Sequence, residues 1–120
     1  MIDDDGDDQE LFCQIATSID HSIKCVSPSD GKEAFRLLLK EKAILPELIF
    51  LDLNMPGMSG FEFLKQIKNH NSLNHIPVII YTTSAAAKDK EESVKLGAAS
   101  FITKPSDLSE LRQKLEIVLR

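Results

Sequence analysis

Two hydrophobic periodicities alternate along the chain. Leu11, Ile15 and Ile19, with Phe12 and Ala16 beside them, recur at helical spacing over roughly 8–21 and predict an amphipathic helix. Ile23 to Val26 is a short run with β-branched residues. Ser27, Pro28 and Ser29 break it, and Ser29 or Asp30 is placed to cap a second helix carrying Ala34, Phe35, Leu38 and Leu39. Leu48 to Leu51 is apolar throughout, as a strand buried on both faces of a parallel sheet requires. The loop Asn54-Met55-Pro56-Gly57-Met58-Ser59-Gly60 then leads into a helix with Phe61, Leu64 and Ile67 on its inner face. Val78 to Tyr81 repeats the buried-strand pattern, and Ala86 to Leu96 reads as a charged helix stopped by Gly97. A last short strand, Phe101 to Thr103, precedes a helix capped by Ser106 with Leu108, Leu111, Leu115 and Val118 on one side. Such alternation predicts a single α/β domain over 1–120, a parallel sheet with helices on both faces.

Open parallel sheets carry their functional residues beyond the carboxyl ends of the strands. The residues in those positions are Asp3 and Asp4 after Ile2, Asp52 after Leu51, Thr82 after Tyr81, and Lys104 after Thr103. Carboxylates gathered at one edge repel, so one of them takes a proton or a cation neutralises them. An oxygen-only ligand set in a shallow cleft suits Mg²⁺, which keeps waters and completes its octahedron with a phosphate. A hydroxyl and an ammonium beside that ion are the donors a transferred phosphoryl group requires. Together these residues read as an aspartate that accepts phosphate.

With these motifs in order, the chain resembles the receiver domain of two-component response regulators along nearly its whole length. The resemblance rests on Asp3-Asp4, on Asp52 within Leu51-Asp52-Leu53-Asn54-Met55-Pro56-Gly57-Met58-Ser59-Gly60, on Thr82, and on Lys104-Pro105. It implies a flavodoxin-like, doubly wound sheet of five parallel strands in the order 2-1-3-4-5. It implies further that Asp52 is the phospho-acceptor, attacking a phosphohistidine of a sensor histidine kinase or histidine phosphotransferase. Asp4 and Asp52 would bind Mg²⁺, the backbone carbonyl of Asn54 would complete the protein ligands, and Asp3 would act through the ion's waters. Lys104 and Thr82 would hold phosphoryl oxygens, and Phe101 would be an aromatic switch that turns inward when Thr82 moves. The resemblance also implies a cis peptide bond between Lys104 and Pro105. Output would run through the fourth helix, fifth strand and fifth helix to a downstream protein, with self-association through the fourth and fifth helices left open.

Composition narrows the alternatives. The formal charge of −5 argues against a surface that wraps nucleic acid. The longest apolar runs fall far short of the ~20 residues a membrane-spanning helix needs, and with no secretory signal at the acidic N-terminus the expected location is the cytoplasm. Cys13 and Cys25 lack CxxC spacing and read as reduced, half-buried thiols. Asp5 and Asp7 read as solvated surface, and Asp8 as surface or as the cap of the first helix. His21, His70 and His75 have no partner motif. A haloacid-dehalogenase-type phosphatase would need a carboxylic acid two residues beyond Asp52, where Asn54 cannot donate and recover a proton. A third reading is a phosphorylation-independent binding module on a degenerate receiver. The expected protein is a stand-alone regulator that catalyses only its own phosphorylation and slow dephosphorylation. One departure stands out: the first strand is reduced to Met1 and Ile2 where about five apolar residues are expected, which predicts a natural chain that begins earlier.

Overall fold

A computed structural model describes residues 1–40, 42–55 and 57–119; Pro56 of the loop motif and the terminal Arg120 lie outside the described residues. Strands β1 (Ile49–Leu51), β2 (Val78–Thr82) and β3 (Ser100–Thr103) form one parallel sheet in that order. Helices α1 (Gly6–Ile19), α2 (Gly31–Leu38), α3 (Gly60–Lys68), α4 (Ala87–Lys95) and α5 (Leu108–Leu119) complete the alternation. Because strand side chains alternate between faces, each strand feeds two cores. Ile49, Leu51, Val78 and Ile80 pack with Phe63, Leu64 and Ile67 of α3 and Ala34 of α2. Phe50, Ile79 and Tyr81 pack on the opposite face with Phe12 and Ala16 of α1 and Leu111 and Leu115 of α5. The edge-on contact of Phe12 with Phe50, ring centroids 4.7 Å apart, anchors α1 on this second core. The parallel α/β arrangement with helices on both faces that the pattern predicts is the one observed.

Among the described residues the sheet has three strands where five were expected. The first is reduced to an isolated parallel bridge, Ile2 to Leu51, in which Ile2 N–H donates to the Phe50 carbonyl (2.8 Å) and Asp52 N–H to the Ile2 carbonyl (3.0 Å). The second, Ile23 to Val26, is not assigned as a strand among the described residues. The Met1 ammonium donates to the Val26 carbonyl at 2.9 Å, and Asp3 N–H to the Pro28 carbonyl at 3.4 Å. Gln9, buried on α1, spans the same gap: its Nε2 donates to the carbonyls of Met1 (3.0 Å) and Pro28 (2.5 Å). A side chain thus stands where ladder bonds would run, and it fixes the backbone that carries Asp3 and Asp4.

Four local expectations need correction. Asp5, not Asp8, caps α1, its carboxylate accepting from the N–H groups of Asp7 and Asp8. Asp107, not Ser106, accepts from Glu110 N–H at the start of α5. Cys13 and Cys25 are joined as a disulfide rather than held as thiols. The inner flank of α1 and the segment after Ile23 pack into the same core, bringing the two Cα atoms to 5.7 Å, within bridging range. The Lys104–Pro105 bond is trans, since no described peptide bond is cis.

Gly60 opens α3 against the end of β1, and a Cβ there would lie 2.5 Å from the Asp52 carbonyl oxygen and 2.6 Å from Leu53 Cα. Both obstacles are backbone, so a methyl group can be admitted only by displacing the segment that presents Asp52. Gly60→Ala is expected to cost roughly 1–3 kcal/mol of stability, seen as a lower urea midpoint with an unchanged slope. A midpoint equal to wild type would contradict this packing.

Candidate functional site

The candidate residues stand at, or within three residues beyond, the carboxyl ends of the strands and the Ile2 bridge, on the same edge of the sheet. Asp52 follows β1 and is 6% exposed, Thr82 ends β2 fully buried, and Lys104 follows β3. Lys104 N–H donates to the Thr82 carbonyl, 2.6 Å away, which ties the ends of β2 and β3 together. Asp3, fully buried, and Asp4, exposed, follow the Ile2 bridge. Carboxylate oxygens of Asp3, Asp4 and Asp52 lie within 4.8 Å of one another, the grouping expected of them. Asn54 follows on the loop, where its N–H donates to Asp52 Oδ1 at 3.4 Å.

Lys104 sits at the centre of this charge. Its Nζ is 2.8 Å from Asp3 Oδ2, 3.0 Å from Asp8 Oδ2 and 3.6 Å from Asp52 Oδ2, and it lies 5.6 Å from the centroid of the Tyr81 ring. Burial pushes its pKa down, but hydrogen bonds to Asp3 and Asp8 and the charge of Asp52 outweigh burial, so the net shift is upward. The ammonium is therefore charged throughout the physiological range. Burial also pushes the Asp52 carboxyl up, and Asp3 adds to that; Lys104, the Asn54 N–H and the Thr82 hydroxyl oppose it without cancelling it.

Phe101 is half-buried and opposite Ile80 in the β2–β3 register, packed against the core that holds α3. Its outer side lines a cleft of about 470 Å³ with Lys90, Lys114 and Ile117, between α4, β3 and α5. Thr103 donates its hydroxyl to the Ser84 carbonyl, and Ser84 in turn donates to Asp89 at 2.6 Å. These bonds link the loop after Thr82 to the start of α4.

Two contributors escaped the sequence reading. Asp8, expected at the surface or as a cap, pairs with Lys104. Placing the cap at Asp5 would have put Asp8 in the first helical turn, facing the strand ends. Gln9 had no signal beyond lying next to Asp8, because its role depends on the gap left by the short first strand.

The model of the response regulator receiver domain matches residues 1–116, and the chain belongs to that family. Protein PilH of Pseudomonas aeruginosa is 30% identical over 115 residues, covering 96% of this chain and 93% of PilH. The phosphate regulon transcriptional regulatory protein PhoB of the same organism is 30% identical over 121 residues, covering 100% of this chain and 50% of PhoB. The chain thus spans half of PhoB and smaller shares of other curated relatives, such as 16% of the response regulator PleD of Caulobacter vibrioides. Among solved structures, the phosphorylated cyanobacterial phytochrome response regulator RcpA matches with a TM-score of 0.89 at 33% identity, covering 98% of this chain and 86% of that one. The Mn²⁺-bound form of response regulator Rcp1 matches with a TM-score of 0.82 at 26% identity, covering 98% and 87%. The family places the chain in two-component phosphorelay signalling. Among the described residues, no helix is long and apolar enough to cross a membrane.

The raised pKa of Asp52 has a consequence for stability. The folded state holds its proton more tightly than the unfolded state, so this group's contribution is greatest below the ordinary carboxyl range and is lost as pH rises through the raised value. In chelator, Asp52→Asn is expected to melt above wild type near neutral pH, with the gap closing as the medium is acidified. Thermal denaturation at several pH values would check this, and an Asn variant that melts below wild type at neutral pH would contradict it.

Proposed function

We propose that this chain receives a phosphoryl group on Asp52 from a histidine of a sensor kinase or histidine phosphotransferase and holds it transiently. The observation that carries this reading is the convergence, at one sheet edge, of three carboxylates with the Lys104 ammonium. An Asp52 carboxylate oxygen attacks phosphorus, and the bond from phosphorus to the imidazole nitrogen breaks with its electron pair left on the imidazole. Lys104 then binds a phosphoryl oxygen, and the buried Thr82 hydroxyl donates to another.

The donor set of Asp3, Asp4 and Asp52 is anionic and all oxygen, which fits a hard divalent ion. We assign it to Mg²⁺, held by Asp4, Asp52 and the Asn54 carbonyl, with Asp3 acting through coordinated water. When bound, the ion supplies the positive charge that lets a phosphoryl dianion approach the carboxylates. Asp52 is the nucleophile and no second carboxylic acid follows it at position 54, so the chain catalyses its own labelling and slow dephosphorylation instead of turning over a separate ester. This disfavours the phosphatase reading. The complete acceptor set likewise disfavours a phosphorylation-independent binding module.

Output is proposed to run through the face of α4, β3 and α5. Movement of Thr82 toward the phosphoryl oxygen would open room for the Phe101 ring, and Phe101 lines the surface cleft there. The occupant of that face would be a downstream protein or a second copy of the chain. We place the whole reaction in the cytoplasm, where histidine kinases have access to ATP, and propose no nucleic-acid contact by this domain.

Intact-mass measurement after incubation with acetyl phosphate tests the assignment. One phosphoryl group is expected on wild type with Mg²⁺ present and none on Asp52→Asn. Omitting the ion should slow labelling by about tenfold or more, because carboxylate repulsion at an effective dielectric of roughly 20 amounts to several kcal/mol. Asp4→Asn should raise the Mg²⁺ concentration needed. Equal labelling with and without chelator, or a labelled Asp52→Asn, would overturn the reading.

A further inference from the structure

We propose that Asp8 is a positioning residue that holds the Lys104 ammonium away from Asp52 until the acceptor is phosphorylated. The proposal rests on the reading of Asp52 as the phospho-acceptor. Lys104 Nζ lies within hydrogen-bond distance of Asp3 Oδ2 and Asp8 Oδ2, at 2.8 and 3.0 Å, while Asp52 Oδ2 is farther away at 3.6 Å. The ammonium is thus directed at Asp3 and, through Asp8, at the first turn of α1 more than at the acceptor.

Asp8 differs from the other two partners in a way that matters once a cation is present. Asp3 and Asp52 belong to the carboxylate group able to share an ion, and Asp8 does not. A bound cation therefore draws charge from Asp3 and Asp52 while Asp8 keeps its full attraction for Lys104. Arrival of a phosphoryl dianion on Asp52 places more negative charge near Nζ than the single carboxylate of Asp8, and Lys104 crosses to it. Asp8 is the partly exposed member, with its side chain 43% exposed, so its hold is weak enough to be broken. Because Asp8 lies in α1, the crossing also removes a contact between α1 and the loop after β3.

The test compares Asp8→Asn, Asp8→Glu and Asp7→Asn with wild type. Asp7 lies one position away in the same exposed helical turn and makes no ion pair with Lys104, so it carries the same change in charge without the contact. Two readouts are taken: the rate of Asp52 labelling by acetyl phosphate in saturating Mg²⁺, and the ¹⁵N resonance of the Lys104 ammonium, assigned by its loss in Lys104→Arg. Asp8→Asn is expected to label about two- to fivefold faster, the scale of one partly exposed ion pair, and to shift the Lys104 resonance in the unphosphorylated protein. Asp8→Glu should restore both values toward wild type, and Asp7→Asn should move neither. A labelling rate in Asp8→Asn equal to wild type, or matched by Asp7→Asn, would overturn the positioning role. An unchanged Lys104 resonance in Asp8→Asn would do the same. If wild type takes no label at Asp52, the acceptor reading falls and the proposal falls with it.

Discussion

Like charges gathered at the end of a sheet set the terms for this molecule. Two carboxylates separated by less than about 5 Å repel by roughly 3–4 kcal/mol at an effective dielectric of about 20, and Asp3, Asp4 and Asp52 lie within 4.8 Å of one another. Lys104 is the counter-charge inside the protein, but a single ammonium cannot balance three carboxylates and Asp8 as well. The site therefore holds unmet negative charge, which burial of Asp52 makes more costly. That deficit suits a divalent cation, and in the function we propose the cation and Lys104 together would let the acidic pocket receive a phosphoryl dianion.

The fold creates this arrangement through topology rather than local sequence. Parallel strands point their carboxyl ends the same way, so residues far apart in the chain arrive at one edge, and the Lys104 N–H to Thr82 carbonyl bond locks two of those ends together. The weak point is the first strand. A single bridge at Ile2 supports the acidic pair, and Gln9 and the Asp3 N–H reach to Pro28 in place of a second ladder. The Cys13–Cys25 disulfide ties α1 to the segment beside it. Asp3 and Asp4 are thus placed by the Ile2 bridge to β1 together with the contacts of Gln9 on α1.

Much of this was legible beforehand, for identifiable reasons. Runs such as Val78 to Tyr81 are apolar on both faces and can be little else than buried strands, and the residue after each run is fixed by the strand's end. The convergence of Asp52, Thr82 and Lys104 follows from that rule. Asp8 was misread because Asp5, Asp7 and Asp8 are chemically alike, and only the choice of cap decides which of them turns toward the strands. The disulfide was missed because spacing in the sequence carries no information about two segments that meet in space.

The most direct test of charge balance at the cluster is a crystal structure of the protein with Mg²⁺ and beryllofluoride, a mimic of the phosphoryl group. The account predicts the mimic on Asp52, the cation among Asp4, Asp52 and the Asn54 carbonyl, and Lys104 Nζ bonded to fluorine with its contact to Asp8 broken. A cation bound away from these carboxylates, or Lys104 still paired with Asp3 and Asp8 beside an occupied Asp52, would contradict it.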